Sequence, residues 1–188
     1  MSTPPAASPL PRRSRFDEDA ETVPWVANGL VAGLLGASVV ALFFLAVDAL
    51  AGRPLWTPSV LAAALFRGEP PRAAASPDPL MVLAFTGVHV TVFVALALPA
   101  AFWALAHLPT SEGRGRAVLL AVGLFAAFEL FFFAMAWLFS PGLVDALRAS
   151  RITAANALAA AAVAAFIFAR ARSEPSAADR PAGAPTER

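Results

Sequence analysis

Four long apolar blocks dominate this chain, and they limit its folds more than any other feature. The blocks run over about 25–51, 80–106, 117–139 and 152–169. A helix needs about 20 apolar residues to cross roughly 30 Å of hydrocarbon, and each block is long enough, the last only just. Because lipid offers the backbone no hydrogen-bond partners, such blocks cross as helices. The sequence therefore predicts an all-α membrane protein, a bundle of four transmembrane helices.

The composition excludes a soluble domain with a single core. Hydrophobic residues make up 59% of the 188 residues and charged residues 14%, whereas soluble domains are nearer ~45–50% and ~25%. The chain has no cysteine, which excludes disulfides, thiol nucleophiles and cysteine-ligated metals. Its 14 basic residues are all arginines at the edges of the apolar blocks, so nucleic acid is not an expected partner.

Three shorter segments complete the predicted organisation. Residues 1–23 and 172–188 are rich in Pro, Ser, Ala and charge, a composition typical of disordered tails, so the folded domain is expected over 24–171. In the first loop, Thr57 followed by Pro58 is typical of a helix N-cap with proline in the first turn. Apolar residues then recur on one face, over a stretch too short to span. They predict a short helix over about 58–67 lying in the membrane interface.

The distribution of arginines predicts the orientation. Nine arginines fall in the two tails and the second loop, and five fall in the first and third loops. Because cytoplasmic segments carry the excess of basic residues, both termini are expected in the cytoplasm. We interpret the chain as a multi-pass protein of a bacterial inner membrane. Its expected partners are membrane lipid and either other membrane subunits or further copies of itself.

Few polar side chains lie inside the predicted spans. His89 is nine residues from the outer end of the second span, and Glu129 is ten from the outer end of the third. Their depths then differ by only about 1.5 Å, so a hydrogen bond between them is expected. Asp48, Thr86 and Asn156 lie in the same outer half. Since polar groups in lipid face the bundle interior and pair there, the five predict an intramembrane polar cluster.

Small residues on the first span indicate where helices touch. Gly29, Gly33, Ala37 and Ala41 recur at four-residue spacing and form a ridge that permits close backbone approach. We expect this ridge to pack within the chain, with the alanine-rich fourth span as its neighbour.

No enzyme signature occurs, so catalysis is not expected and no cofactor or metal is assigned. The polar cluster is either interhelical glue or a site for a proton relay, a ligand or a divalent metal. A haem would need a ligand from a second chain, because His107 lies about 27 Å from His89 along one helix. The leading hypothesis is an accessory subunit of a larger membrane assembly. The alternative is a ligand- or proton-handling transport module using His89 and Glu129; a membrane enzyme acting on a lipid or quinone is a third hypothesis, without a visible nucleophile.

Overall fold

Six helices account for almost all of the chain that the structure describes. The computed structural model describes residues 15–71, 77–107, 113–140 and 142–173. The helices are α1 (Arg15–Leu50), α2 (Trp56–Arg67), α3 (Pro79–His107), α4 (Gly113–Phe139), α5 (Leu143–Leu147) and α6 (Ala149–Ser173). No strand occurs in these ranges. The predicted all-α class is confirmed.

Four of the helices are long and apolar enough to cross a membrane. Their candidate spans are Trp25–Leu50, Pro79–Ala104, Gly115–Phe139 and Ala149–Ser173. The first three agree with the predicted spans to within two residues. The fourth is 25 residues long, several residues longer than its apolar block, because the helix continues through polar residues at both ends. The chain is therefore a four-helix bundle of candidate transmembrane helices.

The helical region is longer at its start than the composition predicts. α1 begins at Arg15, so residues 15–23 of the predicted disordered tail are helical. Residues 1–14 and 174–188, which hold the rest of the two predicted tails, lie outside the described residues.

Packing around α1 and α6 organises the bundle. α1 packs extensively against α3 and α6, and α4 packs against α6, whereas α3 and α4 contact each other sparsely. The order of neighbours is therefore α3, α1, α6, α4, and the ring closes weakly between its two ends. The core is built from small and aliphatic side chains with a few large rings; its deepest large side chains are Leu147, Ile152, Ile167, Val60 and Val163.

The glycine ridge on α1 packs within the chain, as expected, but its main neighbour is α3. A Cβ on Gly29 would lie 2.8 Å from Cδ2 of Leu98, and one on Gly33 would lie 2.5 Å from Cα of Val94. Both contacts are with α3, so the fourth span was the wrong neighbour for these two positions. Gly36, which lies outside this ridge, also faces α6, because a Cβ there would lie 2.9 Å from Cγ2 of Val163.

The predicted short helix is present, with a different start. α2 begins at Trp56, after Leu55 in the left-handed conformation (φ 67°), and it has no side-chain N-cap. Thr57 is therefore not the N-cap. Gly68 ends the helix with φ 64°. Its N–H donates to the carbonyl oxygen of Ala64, and the N–H of Glu69 donates to that of Ala63. α2 packs on α3 and α1. The short helix α5 was not indicated by sequence patterns; it lies at the same end of the bundle as α2.

Candidate functional site

The five residues of the predicted polar cluster separate into several hydrogen-bonded groups. His89 forms a hydrogen bond with the backbone of α1, and Asp48 forms one with α2. Glu129 and Asn156 are hydrogen-bonded to each other. The hydroxyl of Thr86 is bonded to a carbonyl oxygen of its own helix. Among the described residues, no hydrogen bond joins His89 to Glu129, so that prediction is wrong. Residue counting places two groups at one depth, but it does not place them on facing sides of their helices.

His89 lies inside an aromatic row on α3. Its ring is stacked on Phe85, with centroids 5.9 Å apart, and tilted against Phe93 at 4.8 Å. Nε2 donates a hydrogen bond to the carbonyl oxygen of Ala37 over 3.2 Å. Phe93 in turn contacts Phe128 of α4 at 4.6 Å. One phenyl ring therefore stands between the imidazole and the helix that carries Glu129.

Glu129 joins α4 to α6. Its Oε1 accepts a hydrogen bond from Nδ2 of Asn156 at 2.8 Å, and its Oε2 accepts one from the hydroxyl of Thr153 at 3.1 Å. Thr153 is not among the five predicted residues, although it precedes Asn156 by three residues and so shares its helix face. This group stabilises the contact between two helices, which is the structural role expected for polar side chains in lipid.

Asp48 holds the start of α2. The carboxylate is 2% exposed, and its two oxygens accept hydrogen bonds from the N–H and the hydroxyl of Thr57, at 2.6 and 2.8 Å. An anion near a helix N-terminus is stabilised by free N–H groups and by the helix dipole. Asp48 on α1 therefore takes the role of a side-chain N-cap for α2, and its two hydrogen bonds attach α2 to the bundle.

The other end of α2 is tied by exposed ion pairs. Arg67 lies 3.2 Å from Asp78, which precedes α3, and 3.7 Å from Glu69. Arg67 is nearly half exposed, so these pairs contribute little to stability. Buried hydrogen bonds to Asp48 thus hold the start of α2, and exposed ion pairs of Arg67 contact its end.

A large cavity lies between these groups. Its volume is about 330 Å³, and α2 and α5 border it at one end of the bundle. Almost all of the residues that line it are apolar. They include four phenylalanines of α4, together with Leu143 and Leu147 of α5. The polar side chains among them are Thr57, Thr86, His89 and Asn156. The cavity therefore brings together three of the five predicted residues without bonding them to one another.

The cavity is open at the surface of the bundle. Several of its lining side chains are also exposed, among them Leu42 and Leu45 of α1, Val88 of α3 and Phe131 of α4. All four belong to candidate membrane spans. The opening therefore lies at the level of the apolar helices, where a membrane supplies hydrocarbon rather than water.

The described residues contain no group of three His, Cys, Asp or Glu side chains placed to bind a metal. The three potential ligands are each hydrogen-bonded to a different helix: His89 to α1, Glu129 to α6 and Asp48 to α2. No protein-family model, curated protein or solved structure matches the chain.

Proposed function

We propose that this protein binds an apolar molecule taken from the surrounding membrane. The observation that supports this role is the cavity of about 330 Å³, whose lining is almost entirely apolar and whose rim lies within the candidate spans. Ligand pockets are typically ~300–1,000 Å³, with mostly apolar walls and a few polar groups. The role is a form of the ligand-handling hypothesis in which His89 and Glu129 do not act as a pair. It involves binding and no chemical step.

The chemistry of the rim favours entry from lipid. A ligand that passed through water would have to cross the end closed by α2, where Asp48 bonds Thr57. A ligand that came from the bilayer would meet mainly apolar side chains of α1, α3 and α4. The exposed hydroxyl of Thr86 on α3 already donates to the carbonyl oxygen of Val82. Moving an apolar chain from hydrocarbon into such a cavity exposes no polar group to lipid, so we place the entrance at the side of the bundle.

We propose a bacterial inner membrane as its location, with both termini in the cytoplasm. The arginine excess on the side of the tails and the second loop supports this orientation. The cavity and α2 then lie in the outer half of the bilayer. Because the chain has no cysteine, single cysteines introduced at Glu69 and Ser173 test the orientation with an impermeant thiol reagent. Labelling of position 69 from outside intact spheroplasts is expected, and labelling of position 173 alone contradicts it.

Saturable labelling by a photoreactive alkane tests the binding role. The protein is placed in phosphatidylcholine nanodiscs with a hexadecane chain carrying a diazirine, and labelled residues are mapped by mass spectrometry. Cavity residues are expected to lose label when unlabelled hexadecane is added, because a cavity holds few molecules. The outer surface of the helices is expected to keep its label, since it faces bulk lipid.

Two alanines on α1 provide matched variants. Ala41 lines the cavity and Ala46 does not, and both are exposed, so phenylalanine fits at either position without displacing the core. Ala41→Phe is expected to abolish the saturable labelling, whereas Ala46→Phe retains it. Equal labelling in both variants, or no saturable labelling in the unaltered protein, refutes the role.

A second candidate is the accessory-subunit role, which one face of α3 supports. Gly87, Thr91 and Ala95 recur at four-residue spacing on its exposed side, and no atom of the chain lies within 4 Å of where a Cβ on Gly87 would be. Small residues on an open helix face suit close packing by another helix. The mass of the complex in mild detergent tests it. Gly87→Leu is expected to release a partner subunit or second copy, and an unchanged single-chain mass for both proteins contradicts the role.

A further inference from the structure

Asn156 presents an unpaired acceptor inside the cavity. Its side chain is 6% exposed, and its Nδ2 donates to Oε1 of Glu129. Because a carboxylate oxygen accepts and an amide nitrogen donates, this bond fixes which way the amide points. Oδ1 is directed away from Glu129, and it has no hydrogen-bond partner among the described residues.

The unpaired oxygen reaches open space rather than packed protein. Every fully buried side-chain polar atom in the described part of the chain has a hydrogen-bond partner, so an unpaired Oδ1 cannot be fully enclosed. Asn156 is otherwise deeply buried, and the open space that it lines is the cavity. An acceptor in an apolar cavity is costly when unpaired, so it favours a ligand that can donate.

His89 offers a second acceptor to the same cavity. Its Nε2 must carry a proton to bond the carbonyl oxygen of Ala37, which leaves Nδ1 as an acceptor in the neutral ring. Nδ1 has no partner among the described residues, and His89 also lines the cavity. The two polar groups that lack a partner are therefore both acceptors.

The lining disfavours a charged headgroup. It contains no arginine, lysine or carboxylate, so an anionic head would find no cation. An ammonium head would lose its hydration in a cavity of phenyl and aliphatic side chains. The free energy of this desolvation is larger than the free energy gained from one hydrogen bond to an acceptor.

We propose that the cavity holds an uncharged bilayer lipid whose hydroxyl group donates a hydrogen bond to Oδ1 of Asn156, with its apolar chain along the phenylalanine-rich wall. The inference rests on the proposed binding role and adds the class of ligand. The acyl chain of a phospholipid would fill the same space, but it has no donor and would leave Oδ1 unpaired.

Competition between probes of equal chain length tests the ligand class. The full chain in phosphatidylcholine nanodiscs is labelled with the photoreactive alkane, and hexadecane, 1-hexadecanol, hexadecanoate and hexadecylamine are compared as competitors. Hexadecanol is expected to displace cavity label at about threefold to tenfold lower concentration than hexadecane, the range expected for one hydrogen bond in such a site. This ranking requires no variant.

Two variants test the role of Asn156 itself. Asn156→Leu and Thr153→Val each remove one hydrogen bond to Glu129, but only Asn156 lines the cavity. Asn156→Leu is expected to bring hexadecanol and hexadecane to about equal potency, while Thr153→Val keeps the preference. A preference that survives Asn156→Leu overturns the assigned contact.

The outcomes separate this inference from the binding role beneath it. Equal competition by all four probes overturns the hydroxyl assignment and leaves an acyl chain of the bilayer as the occupant, with the binding role intact. Stronger competition by hexadecanoate or hexadecylamine overturns the uncharged class. Absence of saturable label with any probe refutes the binding role and this inference together.

Discussion

Gly33 and Gly87 form a matched pair that tests how closely α1 and α3 pack. Both lie inside candidate spans, and replacing either by alanine adds one methyl group. A Cβ on Gly33 would lie 2.5 Å from Cα of Val94 and 2.8 Å from its backbone nitrogen, whereas one on Gly87 would meet nothing within 4 Å. The preferred separation of two carbons is about 3.5–4.0 Å, so Gly33→Ala would push the helices apart by roughly 1 Å.

The expected magnitudes follow from two terms. Alanine is favoured over glycine inside a helix by about 1 kcal/mol, and this gain is common to both variants. Overpacking costs about 1–3 kcal/mol, and the cost at Gly33 lies near the upper end because the clash is with backbone that cannot rotate away. Gly33→Ala should therefore lower the free energy of unfolding by about 2 kcal/mol, and Gly87→Ala should raise it by about 1 kcal/mol.

Unfolding by sodium dodecyl sulfate in mild detergent, followed by circular dichroism, measures both variants. The difference between them cancels the helix-propensity gain and isolates the packing term, about 3 kcal/mol. If the two variants unfold with the same free energy, then α1 and α3 do not approach as closely as the geometry requires. The reasoning about the glycine ridge would then be refuted.

Five further substitutions test the polar contacts in the same unfolding assay. Asp48→Asn replaces one acceptor of Thr57 by a donor and should lower the free energy of unfolding by about 2 kcal/mol. Thr57→Val should lower it less, because that variant keeps the backbone hydrogen bond. Equal losses would contradict the assignment of two hydrogen bonds. Thr153→Val should lower the free energy of unfolding by only about 0.6 kcal/mol, the average for an interhelical hydrogen bond in lipid. Glu129→Leu should lower it more, because it leaves two donors without an acceptor. A larger loss for Thr153→Val than for Glu129→Leu would contradict this. Arg67→Gln should change stability by less than about 1 kcal/mol and lose even that in high salt, and a large salt-independent loss would show that the α2 end is held differently.

The locations of the spans could be predicted from the sequence alone because the bilayer imposes a one-dimensional rule. A helix that crosses hydrocarbon must satisfy its own backbone and expose apolar side chains, so length and hydropathy suffice to find it. The first three spans agree for this reason. The start of α1 at Arg15 and the added helix α5 lie outside the apolar blocks, where that rule gives no information.

The partners of the polar residues were decided only by the tertiary structure. Residue counting gives depth along the membrane normal, and it predicts which polar groups share one half of the bundle. It carries no information on how each helix is rotated and which helix lies beside it. That rotation gives His89 the carbonyl of Ala37, and Glu129 the side chains of Asn156 and Thr153. The cavity arises likewise from packing, because the sparse contact between α3 and α4 leaves unfilled space that no single segment encodes.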